Sequence, residues 1–182
     1  MVSVNWGILG VAKINDRLIP AFHKSCNAAV SVIASRDAAK AAAAAKAAGI
    51  PHSCGRYEDV LADPSIQAVY LPLPNALHVE WAKKAADAGK HILCEKPLAP
   101  TAAEAADLIA YCQAKGVKLL DGFMWPHHPR TARIRELIQA GEIGDVLSAA
   151  GAFTFLLNLT TENIRLHADM GAEPTNGDGF GV

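Results

Sequence analysis

Short apolar runs alternate along the chain with longer segments that have a helical period. The apolar runs span residues 2–9, 28–34, 68–73, 91–94, 117–120 and 145–155. The segments of helical period span residues 12–23, 37–48, 76–88, 101–115 and 130–140. Strands that alternate with helices in this way are typical of βαβ units, in which helices pack on both faces of a parallel sheet. The pattern therefore predicts an α/β fold with a doubly wound parallel sheet.

The residues at the ends of these segments support the helix assignments. Asp37 can cap the alanine-rich second helix, and Gly49 can end it. Thr101 with Glu104 forms a capping box at the start of the fourth helix. Alanine has the highest helix propensity, so the low complexity of the alanine-rich segment indicates a helix.

Composition and charge narrow the class of protein. Of the 182 residues 51% are apolar and 19% are charged, with a formal net charge of −1, which is ordinary for a globular protein. No basic field for nucleic acid is indicated. No apolar run reaches the roughly 18–20 residues of a membrane span, and the amino terminus does not read as a signal peptide. We therefore expect a cytoplasmic protein without nucleic-acid or membrane partners.

Two glycines stand where the first strand gives way to the first helix. A glycine turn at such a point lets backbone amides approach a pyrophosphate, whose charge the helix N-terminus favours. This context predicts a dinucleotide site of the Rossmann type at Gly7, Leu9, Gly10, Val11 and Ala12. The alternative is a tight turn that binds no ligand, because the G-x-x-G-x-A spacing departs from G-x-G-x-x-G.

The end of the second strand decides which dinucleotide is preferred, because it meets the adenosine ribose. Ser35 can donate a hydrogen bond to a phosphate, and Arg36 can add charge and stack on the adenine. These two residues favour NADP. Asp37 leaves NAD open, since a carboxylate at this point can accept the ribose 2′-hydroxyl, although Asp37 is better placed to cap the second helix.

Further candidate residues follow the third and fifth strands, at the carboxyl edge where such sheets bind ligands. Leu71 and Pro72 lie at the carboxyl end of the third strand, where prolines make the chain turn, and Asn75 and His78 lie at the start of the next helix. We expect these four residues to contact the cofactor, although a partly buried surface histidine is the plainer interpretation of His78 alone. Trp125 follows the fifth strand and is expected to line the cofactor pocket, or to pack in a turn between domains.

No metal site is predicted. His127 and His128 are neighbours at one loop, and neighbouring side chains rarely chelate a metal without further well-spaced ligands. The four cysteines form no C-x-x-C pair, which argues against a zinc ribbon.

Glu95 and Lys96 directly follow the fourth strand, and Pro97 fixes the exit of the chain. A lysine at this edge can orient a substrate hydroxyl, bond the nicotinamide ribose or take part in proton transfer. Glu95 can hold Lys96 in place. An isolated Glu-Lys-Pro tripeptide reads as a surface ion pair, but its position at the edge of the glycine turn favours a catalytic site that also contacts the cofactor.

Three motifs together resemble those of the Gfo/Idh/MocA oxidoreductase family. They are Trp-Gly-Ile-Leu-Gly at 6–10, Leu-Pro-x-Pro-Asn-x-x-His at 71–78 and Glu-Lys-Pro at 95–97. Residues 123–130 are similar to the dihydrodiol and xylose dehydrogenase-like branch of the family. The resemblance implies hydride transfer between NAD(P) and a hydroxyl carbon of a sugar, cyclitol or diol. It also implies that Lys96 is the catalytic lysine, with Glu95 beside it.

The resemblance further implies two domains. Residues 1–122 are predicted to form an NAD(P)-binding Rossmann domain. Residues 123–182 are predicted to form a linker helix and the incomplete start of a C-terminal α/β domain for substrate binding and oligomerisation. The family's downstream catalytic segment has at best a distorted counterpart at 177–179, and His167 is not assigned a role.

Three functions are weighed on this basis. The first is an NADP-dependent oxidoreductase acting on a polyol or sugar. The second is a cofactor-binding but catalytically incomplete module, which the chain length favours. The third is an interaction protein that pairs through an apolar strand edge at 145–159. A homo-oligomer stays open in all three.

Overall fold

The computed structural model describes residues 3–152 and 154. The strands of this part are β1 Val4–Leu9, β2 Ala28–Ala34, β3 His52–Cys54, β4 Ala68–Leu71, β5 His91–Cys94 and β6 Leu119–Asp121. The α-helices are α1 Asn15–Lys24, α2 Ala38–Ala48, α3 Tyr57–Ala62, α4 His78–Asp87, α5 Ala102–Ala114 and α6 Pro129–Gln139. Two short 3-10 helices are Asn75–Leu77 and Trp125–His127. The sheet belongs to a compact unit whose first segment of chain ends at Gly122. A second unit begins at Phe123.

All strand pairs in the sheet are parallel, and the strand order is β3-β2-β1-β4-β5-β6. This is the strand order of a Rossmann fold. The direction of winding reverses between β1 and β4, and such a switch point opens a crevice at the carboxyl ends of the two strands. The predicted doubly wound parallel sheet is confirmed.

Buried side chains form one core on each face of the sheet. On one face, Trp81 of α4 and Leu108 of α5 pack with sheet residues such as Val69. On the other face, Ile19 of α1 packs with Ile33 and others. Since helices cover both faces, the strands are apolar on both sides, as a parallel sheet requires.

The alanine-rich helix α2 forms as predicted. The Asp37 carboxylate accepts hydrogen bonds from the amides of Ala39, at 2.9 Å, and Lys40, at 3.1 Å. Gly49 ends the helix in the left-handed conformation, with φ of 66°. The prediction that Asp37 caps α2 is confirmed, and its carboxylate is engaged in that role.

Several boundaries differ from the predicted ones. Strand β3 and helix α3 were not predicted, because segments of three residues and six residues are too short to show a period. Strand β4 ends at Leu71 and not at residue 73, since Pro72 has no amide hydrogen to donate. Helix α1 begins at Asn15, three residues later than predicted, because residues 11–14 form the turn that leads into it.

The predicted strand over residues 145–155 is wrong for its described part. Residues 145–152 and 154 form no strand, and the rest of the segment lies outside the described residues. A strand needs a neighbour to pair its backbone groups, and no other strand occurs among the described residues after Gly122. The glycine-rich segment 171–182 and His167 also lie outside the described residues. None of the helices in the described part of the chain is long and apolar enough to cross a membrane.

Lys90 is a buried cation that ties the α4–β5 connection to the end of α3. Its side chain is 6% exposed, and its ammonium donates hydrogen bonds to the carbonyls of Asp63, at 2.6 Å, and Ile66, at 2.8 Å. We expect Lys90→Met to lower the free energy of unfolding by about 2–3 kcal/mol, because the buried carbonyl of Ile66 and the partly buried carbonyl of Asp63 both lose a charged donor. Urea denaturation would measure the loss, with the exposed Lys46→Met as the control. Equal stabilities of the two variants would contradict this role.

Candidate functional site

The carboxyl ends of the strands bring the predicted segments to one edge of the sheet. Leu9 pairs with Ala34, and Leu71 pairs with Cys94, in each case at the last residue of the strand. The residues that come next along the six strands therefore form a row: Gly10, Ser35, Gly55, Pro72, Glu95 and Gly122.

Backbone hydrogen bonds continue the sheet into this row. The amide of Gly10 donates to Ala34 at 2.9 Å, and the amide of Glu95 donates to Leu71 at 3.2 Å. The row is thus part of a rigid scaffold, which is the setting that a catalytic constellation needs.

The turn after β1 is built on Gly10. Its φ is 134°, a conformation that side-chain-bearing residues rarely adopt, and a Cβ would lie 3.3 Å from the Pro72 carbonyl oxygen. The Asn15 side-chain amide donates to the Gly10 carbonyl at 2.9 Å and holds the turn closed. Gly10, Ala12 and Asn15 have the same spacing as the three glycines of a G-x-G-x-x-G motif. Val11 and Ala12 are half-buried within this turn.

Gly7 and Leu9 lie inside β1 and not in the turn. A Cβ on Gly7 would lie 2.4 Å from a methyl carbon of Val60, so the missing side chain lets α3 pack against the sheet. Leu9 is fully buried in the core. The structure therefore places these two residues beneath the ligand edge, and moves the start of the glycine motif from Gly7 to Gly10.

The residues after β2 face the end of β3. Ser35 is buried, and its hydroxyl accepts a hydrogen bond from the amide of Asp37 at 3.2 Å. Arg36 is exposed. Burial raises the pKa of the Tyr57 hydroxyl, and the Arg36 guanidinium beside it opposes that rise. A buried tyrosine thus anchors the neighbourhood of Arg36, while the Asp37 carboxylate is engaged in capping α2.

His78 is fully buried and joins the two loops that follow β4 and β5. Its Nδ1 lies 2.7 Å from the carbonyl oxygen of Pro97, and its Nε2 lies 2.8 Å from that of Leu73. A neutral imidazole donates from one nitrogen, and an imidazolium donates from both. Both ring nitrogens face protein carbonyls, so His78 connects the two loops from a buried position below the carboxyl edge of the sheet. Asn75, half-buried, opens the 3-10 helix before it.

Glu95 is held in place by Tyr70, a buried residue of β4. The Tyr70 hydroxyl donates a 2.7 Å hydrogen bond to Oε1 of Glu95. Burial and this carboxylate raise the pKa of Tyr70 well above its ordinary value, so the hydroxyl keeps its proton. A Cβ on Gly122 would lie 3.1 Å from the same carboxylate oxygen, so the end of β6 leaves room for Glu95.

Lys96 follows directly on the sheet edge. Its side chain is half-buried, and its peptide bond to Pro97 is cis. The residue before it, Glu95, has its carboxylate held by the Tyr70 hydroxyl. The residue after it, Pro97, contacts the His78 ring through its carbonyl oxygen. The lysine therefore stands on a short loop that is tied to β4 and to the start of α4.

Trp125 lies in the second unit, where its side chain is 47% exposed and its carbonyl accepts the Thr131 hydroxyl at 2.6 Å. Its contact with the cofactor stays a prediction. His128 caps α6, since its Nδ1 accepts the amide of Arg130. Within residues 3–152 and 154, no group of three histidine, cysteine, aspartate or glutamate side chains is arranged to hold a metal ion.

Two residues of this edge were missed at the sequence level. Asn15 stands where a G-x-G-x-x-G motif has its third glycine, and counting from Gly10 would have found it. Tyr70 is the one aromatic residue in an otherwise aliphatic strand, and a buried tyrosine hydroxyl needs a partner. That need was the signal for its bond with Glu95.

The chain belongs to the Gfo/Idh/MocA family. The sequence model of this family, described as an oxidoreductase family with an NAD-binding Rossmann fold, matches residues 4–123. The family resemblance seen in the three motifs is confirmed.

Relatives with named activities support the membership. The chain is 47% identical over 166 residues to D-xylose 1-dehydrogenase (NADP(+)) 2 of Haloferax volcanii, covering 91% of this chain and 50% of the relative. It is 38% identical over 165 residues to dTDP-3,4-didehydro-2,6-dideoxy-alpha-D-glucose 3-reductase of Streptomyces violaceoruber, covering 90% and 48%. The chain thus spans about half the length of these relatives.

A solved structure shows the same fold. A 3-ketoreductase from Actinomadura kijaniata, crystallised with NADP and TDP-benzene, superposes with a TM-score of 0.72 and 34% identity. The alignment covers 76% of this chain and 43% of the ketoreductase. The residues of the carboxyl edge fit a dinucleotide, because Gly10 presents no side chain where the turn and the loop after β4 come together.

Proposed function

We propose that this chain binds NADP at the carboxyl edge of its sheet and supplies the catalytic lysine of a sugar or polyol oxidoreductase. The observation that carries the proposal is the position of Glu95 and Lys96. They follow β5, the neighbour of β4, at the edge that also bears the Gly10 turn and the switch point between β1 and β4. A ligand in that crevice would meet the glycine turn and the lysine together.

We propose the following role for each residue of the site. The bound nicotinamide supplies the site that accepts or gives the hydride. Lys96 orients the substrate hydroxyl and carries its proton as the carbon is oxidised, or returns it on reduction. Glu95, held by Tyr70, keeps the lysine loop in place. Ser35 and Arg36 contact the adenosine 2′-phosphate. The Asp37 carboxylate accepts hydrogen bonds from two amides of α2, so it is engaged there and does not take the ribose 2′-hydroxyl of NAD.

The relatives favour NADP and a sugar. The Haloferax relative is named for D-xylose and NADP(+), and the Actinomadura ketoreductase was solved with NADP. We infer a hydroxyl carbon of a sugar, cyclitol or diol as the reacting centre.

A second candidate is a module that binds the cofactor without turnover. The observation in its favour is that the family model over residues 4–123 is described by an NAD-binding fold, and the candidate nucleotide residues Gly10, Ser35 and Arg36 all lie within that region. The two candidates share the nucleotide site and differ in catalysis.

Titration with NADPH and NADH, followed by nicotinamide fluorescence or by heat, tests the shared site. Saturable binding that prefers NADPH supports both candidates. Formation of NADPH from NADP and D-xylose by the same preparation then favours the oxidoreductase, and its absence with a panel of sugars and polyols favours the binding module. A folded chain that binds neither dinucleotide would overturn both.

Arg36→Ala is expected to weaken NADPH binding about 10–100-fold, the value of a charged hydrogen bond to a phosphate. NADH lacks this phosphate and shares only the adenine on which Arg36 can stack, so its affinity should fall far less. Competitive titrations of the variant with both dinucleotides would measure the difference. Equal losses for NADPH and NADH would sink the assignment of Arg36 to the 2′-phosphate.

A further inference from the structure

Arg56 occupies a position where an arginine does not serve the fold. It is the N-cap residue of α3, and its side chain makes no capping hydrogen bond. Serine, threonine, aspartate and asparagine are preferred at this position because they accept a hydrogen bond from the first amides. A cation also meets the positive end of the helix dipole unfavourably. Natural proteins break local rules of this kind at functional or strained sites.

The sheet places Arg56 beside the segment that follows β2. Ala34 pairs with Cys54, so Arg36 and Arg56 each lie two residues beyond a paired position on neighbouring strands. The amide of Ser35 donates to the carbonyl of Cys54 at 3.1 Å, which carries the pairing past the ends of both strands. Parallel strands bring these two arginines to the same edge.

Tyr57 joins the Arg36 side chain to the stretch of backbone that carries Arg56. It is the residue next to Arg56, it is buried against Trp81 with ring centroids 4.9 Å apart, and its hydroxyl lies beside the Arg36 guanidinium. The Arg36 guanidinium and the backbone next to Arg56 are therefore both attached to a buried aromatic pair. We call Ser35, Arg36 and Arg56 the corner after β2.

The acidic groups of this corner leave its positive charge largely in place. Asp37 is bonded to two amides of α2. Glu58 lies 3.7 Å from Arg56, and the side chains of the pair are 52% and 70% exposed. An ion pair that is this exposed and this long is weak, so an incoming phosphate can replace it.

We propose that Arg56 is a specificity-determining residue that contacts the adenosine 2′-phosphate of NADP together with Arg36. The proposal rests on the function proposed above. A phosphate monoester carries close to two negative charges at neutral pH, and two guanidinium groups from adjacent strands match that charge. NAD has a hydroxyl at the same place and gains nothing from the second cation.

The test compares Arg56→Ser with the wild-type chain. Serine is a good N-cap residue, so the variant should have a melting temperature at or above that of the wild type. Its affinity for NADPH and for 2′,5′-ADP should fall about tenfold, as expected for an exposed charged contact. Its affinity for NADH should stay the same. Loss of binding without loss of stability separates recognition from a structural role.

Two further variants sharpen the result. Arg56→Lys keeps the charge and should retain most of the preference for NADPH. Lys46→Ala removes the same charge from the last turn of α2, at the opposite edge of the sheet, and should leave NADPH binding unchanged.

Each outcome decides the proposal. Unchanged NADPH affinity in Arg56→Ser, or an equal loss for NADPH and NADH, overturns the role of Arg56 and leaves the proposed function standing. A wild-type chain that binds neither dinucleotide overturns the proposed function and this inference with it.

Discussion

Replacing Lys96 with methionine is expected to reduce turnover by about 10²–10⁴-fold, the usual contribution of a positioned acid or base. Methionine keeps much of the length of the lysine side chain but cannot carry a proton to or from the substrate hydroxyl. The affinity for NADPH should change far less, because the glycine turn and the corner after β2 are intact. Initial rates of NADPH formation, with the sugar that the wild-type chain oxidises fastest, measure the effect.

The control for this experiment is Lys118→Met, an exposed lysine just before β6, at the opposite edge of the sheet. It should keep the wild-type rate. If Lys96→Met also keeps that rate, Lys96 has no part in the chemistry. If it loses NADPH binding to the same degree as turnover, the lysine serves only to hold the cofactor and the proton transfer belongs to another group.

His78→Phe is expected to lower the free energy of unfolding by about 2–4 kcal/mol. Phenylalanine fills a similar volume, but it removes both ring nitrogens, so a carbonyl that accepts from the imidazole is left without its donor and the link between the loops of Leu73 and Pro97 is lost. The cost of an unsatisfied buried carbonyl exceeds the value of the hydrogen bond that it made. Chemical denaturation followed by circular dichroism would measure the loss.

His23→Phe is the matched control, because this histidine is exposed at the end of α1. Its stability should stay within about 0.5 kcal/mol of the wild type, as is usual for surface substitutions. Wild-type stability in His78→Phe would mean that the ring nitrogens do not hold the two loops together.

The sheet could be predicted from the sequence because its signals are local. Each long strand is an apolar run, and most helices end at a glycine or begin at a capping side chain such as Asp37. The position of Glu95 and Lys96 was equally accessible, since a residue that follows a parallel strand must lie at its carboxyl edge. No knowledge of contacts was needed for these predictions.

The interactions behind the site depend on contacts between distant segments, which local patterns do not contain. The bond between Tyr70 and Glu95 joins residues 25 positions apart. His78 contacts Pro97, 19 positions away, only because β4 and β5 are neighbours. Glycine occurs both in tight turns and where a side chain would obstruct packing, so the sequence alone placed Gly7 in the turn. Only the short distance from a Cβ on Gly7 to a methyl carbon of Val60 shows that this glycine serves packing.

The predicted strand over residues 145–155 failed for a related reason. Apolar character shows that a segment favours burial, but a strand also needs a neighbour that accepts its hydrogen bonds. The described residues after Gly122 contain no such neighbour. Helix α6 needs none, because a helix satisfies its own backbone, and it forms close to the predicted bounds.

Because the six strands run in one direction, the sheet has a carboxyl edge, which carries the candidate site, and an amino edge, where the chain can be modified without touching that site. Every helix that leads into a strand reaches it at the amino edge, away from Gly10, Ser35 and Lys96. At the turn between α5 and β6, Lys115 and Gly116 are exposed, and Gly116 has a φ of 70°, so added chain belongs beside this glycine and not in its place. This turn is a suitable attachment point for a fluorophore, an affinity tag or a fused enzyme, since chain added there grows away from the nucleotide.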